Sequence, residues 1–316
     1  MKQMNSTDFA AYLARARSIF KSATFKVSEK PLNYGWQIII DDDGKRAFVS
    51  IYNGKKGLTH VFNGDKNLTT KLAKIINILN EQQDVNEDFP FIPSSVKLGK
   101  NSMPYLRAGS DESGKGDFFG SLVVAATVVD REAISKLNIF GVKDCKLLAD
   151  KKILELEKVI KDTVLAYSVL DLKPKFYNQR YREIIAAGGK LNQLLASGHI
   201  RALSQVLQQQ PECKYAIIDQ FTQSKICIIE LKKKFPQCEV FQMPRAEVDM
   251  AVAAASVLAR ARFLHTMKEM SDEVGVLLPK GSGSIVTEAA RNLAARIGKE
   301  ALENYVKIHF ANYRRL

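Results

Sequence analysis

The sequence predicts a layered α/β domain with a mixed sheet, preceded by a smaller α+β domain. Three observations predict it. The chain has 316 residues, and at about 150 residues per domain this length favours two domains. The first quarter groups its strand-like runs between two helical stretches, whereas the rest alternates strand-like and helical segments. Such alternation is typical of a sheet covered by helices.

The first domain is predicted to be an antiparallel meander backed by helices. A helix is expected around 8–21, followed by strands at 36–40, 46–52 and 58–62. The intervening DDDG and NG sequences are turn signals. A second helix is expected at 67–82, because apolar residues recur there at helical spacing and form one stripe, namely Leu68, Leu72, Ile75, Ile76 and Leu79.

A polar, proline-containing stretch separates this region from the α/β pattern. We therefore expect domains at 1–90 and 105–316, joined by a linker at 91–104. In the second domain the runs YLRAGS, SLVVAATVV, TVLAYSVLDL, YAIID and CEVFQM are strand-like. Helical patterns between and after them cover 151–161, 175–187, 191–208, 247–270 and 285–297.

The composition favours a soluble protein with a polyanionic partner. Charged residues make up 26% of the chain, the formal net charge is +13 and the pI is about 9.4. Lysine and arginine bind nucleic acid by neutralising phosphates and releasing counterions. No run approaches the roughly 18 apolar residues of a membrane span, and the N-terminus lacks a secretory-signal pattern, so we expect no membrane association and a cytoplasmic location. The four cysteines are widely spaced, which indicates reduced thiols rather than disulfides or zinc.

Carboxylates occur where an α/β sheet exposes side chains to a common crevice. Asp111 and Glu112 follow a short extended stretch, Asp219 ends the strand YAIID, and Glu247 begins the predicted helix at 247–270. Helical spacing places Glu247 on the alanine-rich face, toward the sheet, and Asp249 on a more solvated face. Isolated Asp and Glu residues are also common as helix caps, turn residues or salt-bridge partners, and that interpretation stays open for each of them.

Converging carboxylates would need counterions. One like-charge pair at 4 Å costs about 4 kcal/mol at an effective dielectric of 20. Oxygen ligands without thiols select hard cations, so we expect Mg²⁺ or Mn²⁺, and two such ions form a clamp suited to phosphodiester hydrolysis. The acids would then let a basic protein cut the polyanion that it binds.

Several weaker signals have both functional and structural interpretations. The loop at 278–284 could bind phosphate through Lys280 or be an ordinary glycine-rich turn. The remaining candidates are a possible ion pair of Asp144 with Lys146; possible substrate contacts by Tyr177 and Asn178; the histidines His60, His199, His265 and His309, expected to be structural; and Lys55, Lys56 and Lys66, which could contact nucleic acid or be solvated.

The segment DESGKGDFFG at 111–120 resembles the signature of type 2 ribonucleases H, specifically ribonuclease HIII. Further similar elements follow in the family's order, including VKDCKLL, GGKLNQLLASGH, YAIIDQF, PRAEVDMAVAAASVLAR, LPKGSG and KIHF. The likeness extends from Arg107 to about Phe310. Departures from the family pattern are Ser121 for proline, Cys145 for serine and Arg245 for lysine, none of which removes an acid.

The resemblance implies a ribonuclease H-like catalytic domain and an N-terminal substrate-binding domain similar to the TATA-binding-protein fold. It implies endonucleolytic cleavage of the RNA strand of an RNA/DNA hybrid, with 5′-phosphate and 3′-hydroxyl products and two Mg²⁺ or Mn²⁺ ions. By motif, the metal-binding and catalytic acids are Asp111, Glu112, Asp219 and Glu247, and the substrate-binding loop is Gly114, Lys115 and Gly116.

Ribonuclease HIII has glutamate at the fourth acid, whereas ribonuclease HII has aspartate there. A monomer is expected. The alternatives are a nucleic-acid-binding protein without catalysis and an HII-type enzyme that incises beside single embedded ribonucleotides; Glu247 and the extra N-terminal domain favour the HIII type over the latter.

Overall fold

The computed structural model describes residues 6–21, 26–42, 44–54, 57–81 and 105–316. The chain divides into two compact units, Met1–Phe89 and Pro90–Leu316. The expected linker at 91–104 lies outside the described residues, as do Lys55 and Lys56.

The first unit is a four-stranded antiparallel meander with two helices. Its elements in chain order are α1 (Ser6–Lys21), β1 (Lys26–Leu32), β2 (Gly35–Asp42), β3 (Lys45–Gly54), β4 (Gly57–Gly64) and α2 (Lys66–Glu81), and the strand order is β1-β2-β3-β4. The three expected strands and both helices are present. Strand β1 was not predicted, because KVSEKPL combines few apolar residues with a proline that only an edge strand tolerates.

One face of this sheet carries the core of the unit. Alternate residues of the inner strands are at most 1% exposed, namely Ile38, Ile40, Ala47, Val49 and Ile51. The helices contribute Tyr12, Leu13, Leu68, Leu72 and Ile76. Three members of the apolar stripe predicted for α2, namely Leu68, Leu72 and Ile76, are therefore buried as the helical periodicity requires.

The second unit is built on a five-stranded mixed sheet of order β7-β6-β5-β8-β9. Its strands are β5 (Arg107–Ser113), β6 (Leu122–Val129), β7 (Ala166–Leu172), β8 (Tyr215–Asp219) and β9 (Glu239–Met243). The pairs β5–β6 and β6–β7 are antiparallel, whereas β5–β8 and β8–β9 are parallel. The predicted mixed sheet is confirmed.

The helices of this unit are α3 (Arg131–Phe140), α4 (Asp150–Thr163), α5 (Pro174–Ala186), α6 (Leu191–Gln209), α7 (Ile226–Lys234), α8 (Met250–Val274), α9 (Ser284–Ile297), α10 (Lys299–Leu302) and α11 (Ala311–Arg314). Helices α3, α7, α10 and α11 were not predicted. Helix α3 had a local signal, because Asp130 caps its N-terminus and Gly141 ends it in a left-handed conformation. In the described residues no helix combines the length and apolar character needed to cross a membrane.

Helices pack against both faces of the sheet. Helix α8 supplies much of one core, with Val123, Ala125 and Val129 of β6. Helix α6 packs on the opposite face with Val124, Ala126 and Val128. Gly109 of β5 permits close contact with α8, since a Cβ there would lie 2.4 Å from the Val252 nitrogen. The alternating residues of β5 therefore face two different helices.

Candidate active site

A cleft opens where β5 and β8 end. These two strands are parallel neighbours, with Ser110 beside Ile218, so Asp111 and Asp219 follow at the same level of the sheet. The residues that line the cleft are Asp111, Glu112, Ser113, Gly114, Lys115, Gly116, Cys145, Lys146, Leu148, Asp150, Asp219 and Arg260. Three of the four predicted acids and the whole predicted loop thus border one cavity.

The pleat of β5 separates the adjacent carboxylates. Glu112 lies on the α6 side, where it contacts His199, so Asp111 lies on the α8 side. Asp111 is 7% exposed, and its Oδ1 accepts a hydrogen bond from the Glu112 amide at 2.8 Å. Burial, followed by the charge of Glu112, raises the pKa of Asp111 to about 7. Asp219 raises it further, so the charges of these acids interact.

Glu112 has partners that stabilise its charge. Burial pushes the pKa of Glu112 upward, but the hydrogen bond and charge of His199, with a contribution from Lys115, hold it below its ordinary value. The Glu112 Oε2 is 3.1 Å from His199 Nε2, and its Oε1 is 3.4 Å from Lys115 Nζ. Both oxygens are therefore oriented by neighbouring donors.

Asp219 connects the strand end to the segment that carries Glu247. Its Oδ1 accepts a hydrogen bond from the Ala246 amide at 3.0 Å. Ala246 begins a short 3₁₀ helix, Ala246–Val248, and helix α8 starts only at Met250. The prediction that Glu247 begins the long helix and lies on its alanine-rich face is therefore wrong.

The helix cap is Asp249, which was expected to be the more solvated acid. Its Oδ1 accepts a hydrogen bond from the Ala251 amide, and its Oδ2 lies 2.6 Å from Arg107 Nε in an ion pair whose side chains are 12% and 11% exposed. A buried cap and ion pair use both oxygens of Asp249. The chain must leave the helical path before Asp249, because a capping residue has extended backbone.

Glu247 is half-buried and is not among the cleft-lining residues. It nevertheless lies within electrostatic range of them. Partial burial lowers the pKa of Lys146, but the surrounding carboxylates raise it above its ordinary value, the contributors being Asp144, Glu247, Asp111 and Asp219. One ammonium group thus responds to the charges of three of the predicted acids.

The donor set fits a hard divalent cation. Asp111, Glu112 and Asp219 offer carboxylate oxygens. Burial, followed by repulsion from Glu112 and Asp219, raises the pKa of Asp111, and a cation would stabilise its ionised form. Among the described residues, no three His, Cys, Asp or Glu side chains are already close enough together to hold an ion. Binding an ion would therefore require these carboxylates to turn toward one another.

The predicted substrate loop forms one rim of the cleft. Gly114 is buried and has a φ of +85°, and a Cβ there would lie 2.1 Å from the Ser121 carbonyl oxygen. Gly116 is exposed, and a Cβ there would meet no atom within 4 Å. The fold itself therefore requires glycine at 114, whereas nothing within the described residues requires it at 116.

The weaker candidates divide between the cleft and the core. The Asp144 carboxylate accepts a hydrogen bond from the Lys146 amide. Lys280 pairs with Asp150, a residue of the cleft wall. Tyr177 and Asn178 are 2% and 1% exposed, and the Asn178 amide bonds backbone groups of the C-terminal segment, so packing explains them.

Sequence reasoning missed the position of one histidine. His60, His265 and His309 hydrogen-bond to Tyr12, Glu157 and Tyr177, as structural histidines do. His199 was grouped with them, but its ring bonds an acid of the cleft. The signal available in the sequence was its place in the family-like segment GGKLNQLLASGH. Of the three departures from the family pattern, Cys145 lines the cleft, Ser121 is buried and Arg245 is exposed with a φ of 55°.

Comparison with known proteins supports a single family. A model of the family "Ribonuclease HII" matches residues 108–313. Ribonuclease HIII of Protochlamydia amoebophila is 38% identical over 229 residues, which are 72% of this chain and 73% of the relative. Ribonuclease HIII of Geobacillus kaustophilus is 41% identical over 212 residues, covering 65% and 66% of the two chains.

A solved structure extends the likeness to the fold of the whole chain. The crystal structure of Bst-RNase HIII in complex with Mn²⁺ is similar, with a TM-score of 0.62 and 29% identity over 100% of this chain and 96% of that one. The cleft, the sheet and the matched sequence together place this chain in the ribonuclease HIII family of ribonuclease H endoribonucleases.

Proposed function

We propose that this chain hydrolyses the RNA strand of RNA/DNA hybrids with two divalent cations held by Asp111, Glu112, Asp219 and Glu247. The observation that carries the proposal is the cleft at the ends of β5 and β8, where three of these acids meet a loop with an exposed glycine and lysine. Carboxylates in a basic protein are best explained by a metal-dependent reaction on a polyanion.

The oxygen-only donor set favours Mg²⁺ or Mn²⁺. When bound, such ions supply an activated water and charge stabilisation for the leaving oxygen. Breaking the bond between phosphorus and the 3′-oxygen leaves a 5′-phosphate and a 3′-hydroxyl. A relative with a similar fold was crystallised with Mn²⁺. Ribonuclease H chemistry at this site needs no covalent intermediate with the protein.

The loop of Gly114, Lys115 and Gly116 is proposed to contact the RNA backbone. Lys115 and Gly116 are exposed at the cleft. Open space beside Gly116 lets a nucleotide approach the backbone amides, which can bond a 2′-hydroxyl or phosphate. The 2′-hydroxyl is the group that distinguishes RNA from DNA.

The first unit is proposed to bind the hybrid with the face of its sheet opposite the core. Thr59, Val61 and Asn63 of β4 are exposed there. Phe48 pairs with Asn63 in the register, so it lies on the same face, and so does the exposed Lys30. Among the described residues no helix covers this face. A mixed aromatic, polar and cationic surface suits a nucleic-acid backbone.

A substrate panel tests the proposed reaction. The purified protein is incubated with end-labelled RNA/DNA, RNA/RNA and DNA containing a single ribonucleotide, in Mg²⁺, Mn²⁺ or chelator. We expect internal cleavage of the RNA in the hybrid, dependent on the metal. Binding without cleavage under every condition would support the non-catalytic alternative, and incision only beside the single ribonucleotide would support HII-type specificity.

The role of the first unit is tested separately by charge reversal. Lys30→Glu should weaken hybrid binding in fluorescence anisotropy, with a reduced salt dependence. Lys158→Glu is the matched control, because Lys158 is 85% exposed on α4 and does not line the cleft. Equal effects of the two substitutions would argue against a specific binding face.

A further inference from the structure

His199 lies fully buried between two residues of the same strand. Its Nδ1 is 2.9 Å from Ser110 Oγ, and its Nε2 is 3.1 Å from Glu112 Oε2. The ring stacks on Phe221, with centroids 4.9 Å apart and planes inclined by 9°. Both His199 and Ser110 are 0% exposed. Burial, stacking and two hydrogen bonds together fix the orientation of this ring.

The hydrogen bonds define which nitrogen carries a proton. An ionised carboxylate only accepts, so Nε2 donates to Glu112. The Ser110 hydroxyl can accept from Nδ1 of a charged ring or donate to Nδ1 of a neutral ring, so the bond to Glu112 forms in either protonation state. Because Ser110 and Glu112 are two positions apart, they lie on the same face of β5, and one ring from α6 bridges them.

This bridge acts on the acid that the pleat of β5 turns away from Asp111. Glu112 lies on the α6 side of β5, whereas Asp111 lies on the α8 side. The His199 bond holds Glu112 Oε2, which leaves Oε1 near Lys115 at the cleft. Phe221 supports the same arrangement, since it stacks on His199 and also lies 5.8 Å from Lys115 Nζ.

We propose that His199 is a positioning residue that orients the Glu112 carboxylate through a Ser110–His199–Glu112 hydrogen-bond chain, and thereby sets the affinity of the site for its divalent cation. The inference rests on the proposed function, in which Glu112 holds metal. Partners that hydrogen-bond a ligating carboxylate commonly change metal affinity or activity by about 10–100-fold when replaced.

Two amide substitutions of His199 separate its effect on the orientation of Glu112 from its packing in the core. In His199→Gln the side-chain nitrogen can reach the position of Nε2 and keep the bond to Glu112. In His199→Asn the amide reaches only the position of Nδ1, so it keeps Ser110 and loses Glu112. Both variants replace a ring by a neutral amide, and both lose the stacking on Phe221.

The measurement is Mn²⁺ affinity of the full chain, from the electron paramagnetic resonance of free Mn²⁺. We expect the dissociation constant to rise about 10–100-fold in His199→Asn and less than about 3-fold in His199→Gln. The Mn²⁺ concentration that half-saturates cleavage should shift in parallel, while the KM for hybrid stays the same. Urea unfolding of each variant reports stability independently.

His265→Asn is the matched control. His265 also pairs with a glutamate, Glu157, at 2.7 Å, but neither residue lines the cleft. Wild-type Mn²⁺ affinity in His199→Asn, or equal losses in the Asn and Gln variants, would overturn the inference. Wild-type protein that neither binds Mn²⁺ nor cleaves hybrid would instead refute the proposed function itself.

Discussion

Replacing Gly114 and Gly116 by alanine, one at a time, separates a glycine that the fold needs from one that the proposed substrate needs. Gly114 has a φ of +85°, and its new Cβ would lie 2.1 Å from the Ser121 carbonyl oxygen and 2.8 Å from the Phe263 ring. Left-handed backbone costs an alanine about 1–2 kcal/mol. Forcing an extra carbon against packed atoms costs about 1–3 kcal/mol more.

We therefore expect Gly114→Ala to lower the free energy of unfolding by about 2–5 kcal/mol, measured in urea. Gly141→Ala is the control for backbone strain alone, since Gly141 has a φ of +77° and no atom within 4 Å of its Cβ position. It should lose only about 1–2 kcal/mol. Equal stability of Gly114→Ala and wild type would refute the geometry of the loop.

Gly116→Ala should leave stability within about 0.5 kcal/mol of wild type, because its methyl group meets no atom of the protein. At the proposed contact the methyl group would block a nucleotide from the loop amides. One lost hydrogen bond, worth about 1 kcal/mol, predicts a KM for hybrid about 5-fold higher. Steady-state cleavage kinetics measure it, and an unchanged KM would remove Gly116 from the substrate contact.

Other predictions address the acids and the two units. Asp219→Asn should reduce cleavage of end-labelled hybrid by more than about 100-fold, which exceeds the loss expected for a residue that only hydrogen-bonds a metal ligand. Hybrid binding, measured by fluorescence anisotropy, should be largely retained. Cleavage at the wild-type rate would exclude Asp219 as a metal ligand. In chelator, the folded pKa of Asp111 is about 7, so ionisation destabilises the wild type as pH rises from about 4 to 7. At pH 8 the free energy of unfolding of Asp111→Asn, measured in urea, should then exceed that of wild type by up to about 4 kcal/mol, and below pH 4 the two should be equal. A difference in stability that does not depend on pH would contradict this cause. Asp249→Ala removes a helix cap and the partner of Arg107, and should cost about 3 kcal/mol in urea unfolding, whereas a loss below 1 kcal/mol would indicate an ion pair open to water. Deleting residues 1–90 should weaken hybrid binding far more than it alters the circular dichroism of the remainder, and unchanged affinity would refute the binding role of the first unit.

Elements with strong periodicity were predictable, and weakly patterned ones were not. The apolar run of β6 and the stripe of α2 predicted their structures directly, because burial on one or both faces dictates such patterns. Strand β1 has little apolar character because it lies at a sheet edge. Helix α7 has 9 residues and ends in three lysines, Lys232, Lys233 and Lys234, so its apolar residues span too few turns to show helical periodicity.

The acids of the site were predictable as residues, but their positions were only partly so. Asp219 ends β8 as expected, and it lies in one cleft with Asp111, which was expected to follow its strand but lies within β5. Glu247 was misplaced, because helical spacing assumes a continuous helix and Asp249 instead begins α8 as its cap. His199 could not be assigned from spacing, since its partner Glu112 is 87 positions away in the chain.

By itself the sequence determined the chemistry: the number of carboxylates, the excess of lysine and arginine, the glycine loop and the alternation that builds a mixed sheet. These properties depend on residue type and local period. Only the tertiary structure decided that the pleat of β5 sends Asp111 and Glu112 to opposite helices, and that a histidine from α6 holds one of them. Side-chain direction in a site depends on which elements pack against each face, and that packing involves residues far apart in the chain.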